Sequence, residues 1–266
     1  MDKYIQVCAE MAYNEVLIEA YFNEEFLLEG DGSFLDKVKN FFGTIKKIIV
    51  NLFNKVIDFF RNCIDKIKGK FSKHENASLY NNLMEMVLTE GKDYESIAMG
   101  MFSSNEAIIS KCLSKLRYIG NTFDKMAKDP KVQNQEIHNK ISDMFRDIET
   151  NYDAVNGIED NCKKELDNIN DNKSDSDKKM DTSLLNYFNK NINQQNIDLK
   201  YEIQNVNAQN KYLEERIRKE GENKSKAVEL FKIQQYFYNL YLKGLSKVEK
   251  GYITLLKYIM RIAVNI

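Results

Sequence analysis

The sequence predicts an all-α protein: an N-terminal hairpin of one acidic and one basic helix, then a bundle of four or five long helices running up and down. Three observations carry this. One proline and eleven glycines in 266 residues leave few interruptions to a helix. Apolar residues recur at steps of three and four along most of the chain, which is the helical period, and strand-like alternation is hard to find. Hydrophobic residues make up 43%, enough to build a core.

Residues 2–28 read as an acidic amphipathic helix, with Ile5, Cys8, Met11, Ala12, Val16 and Ala20 near one face and Glu10, Glu15, Glu19, Glu24 and Glu25 available to the other. Glu29-Gly30-Asp31-Gly32-Ser33 follows, and two glycines in three residues make a joint. The next helix is predicted over Phe34 to Phe71. Its apolar residues fall in two adjacent rows, one through Phe34, Val38, Phe41, Ile45, Ile48, Leu52, Val56, Phe59, Cys63, Ile67 and Phe71, the other through Leu35, Phe42, Ile49, Phe53, Ile57, Phe60 and Ile64. The stripe is wider than a coiled-coil seam requires. Its longest uncharged run, Ile48 to Asn54, is far short of the ~20 apolar residues of a membrane span.

Charge is segregated between these two helices. Residues 1–33 hold eight Asp/Glu and one Lys; residues 34–73 hold ten Lys/Arg and three Asp. The whole-chain charge of −1 hides that contrast. Three uses fit a basic aromatic helix of this kind. Its stripe can be covered by the chain's own helices, it can dock into a partner's groove, or it can lie on an anionic membrane surface. For the second and third uses the candidate face is Phe34, Phe41, Lys46, Lys47, Phe53, Lys55, Phe60 and Arg61. A specific nucleic-acid ligand is not expected: the lysines are scattered among Phe and Ile, and no reading motif is present.

A polar linker, residues 72–78, separates this pair from a bundle domain expected over residues 79–266. A short helix is predicted from about Leu79 to Thr89, ended by Gly91. Ser103-Ser104-Asn105-Glu106 has the form of a capping box and is expected to start the next helix. Asp129-Pro130 should stop it near Lys128. One long helix is then predicted through Ile137, Ile141, Phe145, Ile148, Tyr152, Val155, Ile158, Cys162 and Ile169. Residues 170–181 are polar and charged and are expected to form a mobile loop. Helix resumes from Ser183 to about Lys219, with an Asn- and Gln-rich polar face, and Gly221 and Asn223 break it. The last helix, Ser225 to Val264, is the most apolar and is expected to be the central one.

Catalytic signatures are absent from the sequence. His74 and His138 lie outside any ligand spacing and read as solvent-facing, and no Gly-rich phosphate loop, nucleophile elbow or CxxC occurs. Asp171, Asp175 and Asp177 lack the glycine and terminal glutamate of a calcium loop. Cys8, Cys63, Cys112 and Cys162 sit singly on apolar helical faces and read as buried free thiols. No cofactor, metal or enzymatic activity is expected. The N-terminus carries acid where a secretory signal carries base.

The acidic opening ending in Phe26-Leu27-Leu28-Glu29-Gly30, with a Lys/Phe-rich amphipathic helix directly after it, resembles virion structural proteins of large tailed bacteriophages from AT-rich hosts. In such phages a maturation protease cuts head proteins after a glutamate preceded two residues earlier by Leu or Ile. Leu27, Glu29 and Gly30 are similar to that site. The resemblance covers roughly residues 15–70. It implies a virion protein made in the host cytoplasm, residues 1–29 as a propeptide, and other virion proteins or copies of itself as partners. On that view cutting uncovers the basic aromatic stripe. The alternatives are a membrane-surface protein acting through residues 34–71 and an uncut cytoplasmic scaffold.

Overall fold

The structure is a computed structural model that describes residues 33–72, 94–171, 183–220 and 225–264. Seven helices account for nearly all of these residues: α1 (Phe34–Ser72), α2 (Tyr94–Lys128), α3 (Asn134–Asp147), α4 (Glu149–Asn156), α5 (Ile158–Asp171), α6 (Ser183–Glu220) and α7 (Ser225–Val264). The described residues contain no strand, so the all-α expectation holds. The expected acidic helix, the short helix at 79–89 and most of the loop at 170–181 lie outside the described residues.

Local chemistry sets the ends of these helices. Ser33 begins α1: its Oγ accepts from the Asp36 amide at 3.2 Å and donates to Asp36 Oδ2 at 2.7 Å. The Ser33 hydroxyl thus caps the free Asp36 amide and is held in place by the Asp36 carboxylate. At the far end of α2, Pro130 cannot continue the helix, which stops at Lys128.

Two expectations need correction. Helix α2 starts at Tyr94, upstream of Ser103. Ser104 Oγ and Asn105 Nδ2 donate back to the carbonyl of Met101, at 3.2 and 2.9 Å, as polar residues inside a helix do. Met101 and Phe102 are buried, so the apolar face runs on through the supposed cap. The single helix expected over residues 137–169 is three segments, interrupted at Ile148 and Gly157. Both residues keep right-handed helical angles (φ −85°, ψ −10° and φ −71°, ψ −7°), so the chain holds its course. Ile137, Ile141, Phe145, Ile148, Tyr152, Val155, Ile158 and Cys162 stay buried along one side. The three segments act as one strut.

Contacts between struts fix their directions. Phe34 and Phe41 pack edge-on to Phe231, and Phe60 lies 6.3 Å from Tyr252, so α1 and α7 run the same way. The rings of Phe123 and Phe237 stack at 4.0 Å while Ile109 meets Gly251, so α2 opposes α7. Asn134 bonds Glu229 and Tyr258 bonds Glu159, so the α3–α5 strut follows α7. Tyr187 meets Glu106 and Tyr212 Oη donates to the Ala127 carbonyl, so α6 follows α2. In chain order the struts alternate up, down, up, down, up, which is the up-and-down arrangement of a helical bundle. Helix α7 touches every other described helix, as its all-round apolarity predicted.

The basic helix is therefore a full member of the bundle. From Val38 to Ile64 both of its apolar rows are buried, one set of side chains meeting α6 and another meeting α7, with Phe34 and Leu35 half-buried at the start. Phe60 packs on Phe102 of α2, Phe188 of α6 and Tyr252 of α7, joining four struts at one ring. The width of the stripe follows from having two large neighbours.

Two glycines let the α3–α5 strut close on α7. A Cβ at Gly251 would lie 2.6 Å from Val155 Cγ1 and 3.4 Å from Ile109 Cγ1, and one at Gly244 would meet the Tyr152 hydroxyl. Gly43, on the exposed face of α1, has open space where its Cβ would be. We expect Gly251→Ala to lower stability by about 1–3 kcal/mol through overpacking. Gly43→Ala should raise it by about 1 kcal/mol through helix propensity. Denaturant unfolding midpoints of the two variants check the contrast.

Candidate functional site

The residues singled out for docking are split between inside and outside. Phe41, Phe53 and Phe60 are 0% exposed, and Phe34 is half-buried against Phe231. Lys46, Lys47 and Arg61 are exposed, Lys55 is half-exposed, and Arg61 pairs with Asp58 at 3.0 Å. The eight do not form one surface, because a helix wedged between two others presents its aromatic rows to them and keeps only its cations in water. Leu27, Glu29 and Gly30 lie outside the described residues.

What sequence reasoning missed is a buried polar seam where α2, α6 and α7 meet. On α6 the core-facing positions are Phe188, Asn191, Gln195, Asp198, Glu202, Val206, Gln209, Leu213 and Ile217. Their steps are three and four, so the signal was present in the sequence. It was obscured because five of the nine are polar, and polar residues at that period read as a solvated face.

Arg117 of α2 organises the seam. Its Nη1 lies 3.0 Å from Asp198 Oδ1 and its Nε donates to Glu202 Oε1 at 3.0 Å. The hydroxyl of Tyr241, on α7, donates to Glu202 Oε2 at 2.8 Å. One carboxylate thus ties three helices together. Burial works against the charge on Arg117, but Glu202 and Asp198 more than reverse this and hold its pKa above the ordinary value. Burial pushes the Glu202 carboxyl up, opposed by its donors Arg117 and Tyr241. Tyr201 covers the guanidinium from outside, 4.9 Å from centroid to Arg117 Cζ. Further along, Gln209 bonds Asp124 and accepts from Gln234 at 3.0 Å.

Glu249 is the seam's outlier. It is 0% exposed on α7, and neither carboxyl oxygen has a hydrogen-bond partner among the described residues. Burial, then the nearby Asp198 and Glu202, raises its pKa from 4.5 to about 8, with Arg117 opposing. At neutral pH Glu249 therefore keeps its proton.

Two polar cavities flank the Arg117 bridge. One of about 300 Å³ is lined by Glu106, Ser110, Arg117, Tyr187, Asp198 and Tyr252 among others. One of about 190 Å³ lies beside Asp124, Glu202, Gln209 and Tyr241. No group of three or more His, Cys, Asp or Glu that could hold a metal occurs among the described residues. Cys63, Cys112 and Cys162 are buried, and burial pushes the Cys112 thiol up to about 11 and that of Cys162 to about 12, so both stay protonated. His138, expected in solvent, is half-buried and stacks on Tyr236 at 4.3 Å. None of the described helices is long and apolar enough to cross a membrane. No family model matches the chain, and neither a curated protein nor a solved structure is similar to it.

Two outcomes follow for the seam. Between pH 4.5 and about 8 the folded chain holds a proton at Glu249 that the unfolded chain has released. The contribution of that proton is complete below pH 4.5 and is lost as pH rises to about 8, at about 1.4 kcal/mol per pH unit. In Glu249→Gln this component of the slope should vanish, as read by denaturant unfolding across that pH range. Separately, Arg117→Leu should lower stability by about 3–5 kcal/mol, since it strands Asp198 and Glu202 in the core. Double substitution with Glu202→Gln should recover part of that loss.

Proposed function

We propose that this chain is a non-enzymatic structural or assembly protein of a virion, of the tailed-phage kind that its N-terminal arrangement resembles, and that Glu29-Gly30 is its processing site. The observation that supports this best is the position of the α1 cap. Ser33 starts α1 with its own side chain and that of Asp36, three residues beyond Gly30. A cut after Glu29 therefore leaves α1 and its cap intact. Processing on this reading does not uncover the aromatic stripe, which α6 and α7 cover. It changes the charge of the surface, leaving Lys39, Lys46 and Lys47 of α1 exposed and no longer tethered to a run of acid. The partners proposed are other virion proteins or further copies of this chain.

The burial of α1 also favours a second reading, an uncut helical scaffold in which α1 is ordinary core. The membrane-surface alternative loses its main support, because it needs Phe41, Phe53 and Phe60 on the outside and they are 0% exposed.

Intact mass and N-terminal sequencing of the protein from its native source decide between the first two. We expect a species beginning at Gly30 beside the full-length recombinant chain. A native chain that retains residues 1–29 would leave the uncut scaffold.

A further inference from the structure

One end of the bundle gathers positive charge. Phe34 packs on Phe231 at 5.6 Å, Tyr212 Oη donates to the Ala127 carbonyl at 3.1 Å, and Asn134 donates to Glu229 at 3.0 Å. These contacts bring the starts of α1, α3 and α7 and the finishes of α2 and α6 to the same end. The stretches that form it, residues 33–39, 125–136, 211–220 and 225–232, hold eleven Lys/Arg and seven Asp/Glu, with Lys128, Lys211 and Arg218 already paired to Asp124, Glu215 and Glu214. Lys39, Lys125, Lys131, Lys219, Lys226 and Lys232 are all exposed.

Helix dipoles account for only part of this. Lysines in the last turns of α2 and α6 complement the partial negative charge of a helix C-terminus. Lys226 does the opposite. It stands in the first turn of α7, where the dipole is already positive, and that turn has no acidic residue. A cation placed on a helix N-terminus is favoured by an anionic partner.

The chain supplies one. Residues 1–29 contain seven Asp/Glu and one Lys, and they join the bundle at Ser33, at this same end. We infer that the cationic end of the bundle is the docking surface for the chain's own acidic segment, residues 1–29. Tethering keeps that segment at high local concentration, so many individually weak ion pairs suffice to hold it. The exposed ridge of α1 fits this occupant less well, since beyond Lys47 it continues as Asn51, Asn54 and Asp58. The contact is electrostatic and exposed, and salt screens it over about 10 Å at 0.1 M. Contact and cleavage are separate claims: the docking stands whether or not the Glu29-Gly30 bond is ever cut.

Carbodiimide coupling tests the surface on the full-length chain, because it joins a carboxylate to an amine only when they touch. At low salt the products should link Glu10, Glu15, Glu19 or Glu24 to Lys125, Lys131, Lys226 or Lys232, and their yield should fall several-fold at high salt. Equal yields at Lys163 and Lys190, which lie at the other end, would overturn the assignment. A chain carrying Lys226→Glu and Lys232→Glu should lose several-fold of the links to Lys125 and Lys131 at unchanged helicity. Links that persist undiminished in that chain also overturn it. Cleavage is read independently by intact mass, so failure of the docking and failure of the processing proposal give different results.

Discussion

The contact of α7 with every other strut is the constraint that shapes this molecule. A helix shared by four struts must be apolar over most of its circumference, and Leu242, Leu245, Val248, Leu255, Leu256 and Ile259 are each 0% exposed while Lys232 and Lys250 keep one strip in water. Where two large struts both press on it, side chains have to give way, and Gly244 and Gly251 do so opposite Tyr152 and Val155. Where α6 approaches, the contact changes character. Gln234, Tyr241 and Glu249 of α7 face Gln209, Glu202 and Asp198 instead of a dry interface. Hydrogen bonds of fixed geometry specify one register for α6, whereas aliphatic packing tolerates several.

That arrangement changes the meaning of α1. A basic aromatic helix taken alone suggests adhesion to a membrane or a partner. Packed against α6 and α7, the same helix is a structural wall whose lysines are the remainder left in water. The segregation of charge survives this reinterpretation, because the cations and the acidic segment are still joined at Ser33.

The sequence made the long elements legible wherever apolar period and a stop signal coincided. Helices α1, α6 and α7 begin within a residue of where their patterns start, and Pro130 marks the end of α2. The start of α2 was misplaced because Ser103 to Glu106 satisfies a capping pattern while Ser104 and Asn105 in fact bond backward to Met101. The breaks at Ile148 and Gly157 leave the apolar stripe unbroken, so periodicity could not register them. The polar seam escaped for a different reason. Burial of Asp198, Glu202 and Gln209 depends on Arg117, Tyr241 and Gln234, which are contributed by distant parts of the chain. A one-dimensional pattern records each residue's polarity and not the partner that makes its burial tolerable.

An odd number of alternating struts has a mechanical consequence. The start of α1 and the last turn of α7 fall at opposite poles, separated by roughly the length of a 40-residue helix, about 60 Å. A load applied between these two points runs parallel to the helix axes. The interfaces of α1 and α7 with their neighbours must then slide as a whole, with Phe60 and the Arg117 carboxylates resisting together. An even-stranded bundle, with both points at one pole, would instead peel apart contact by contact. A pull between the two poles would therefore load the helix interfaces in shear.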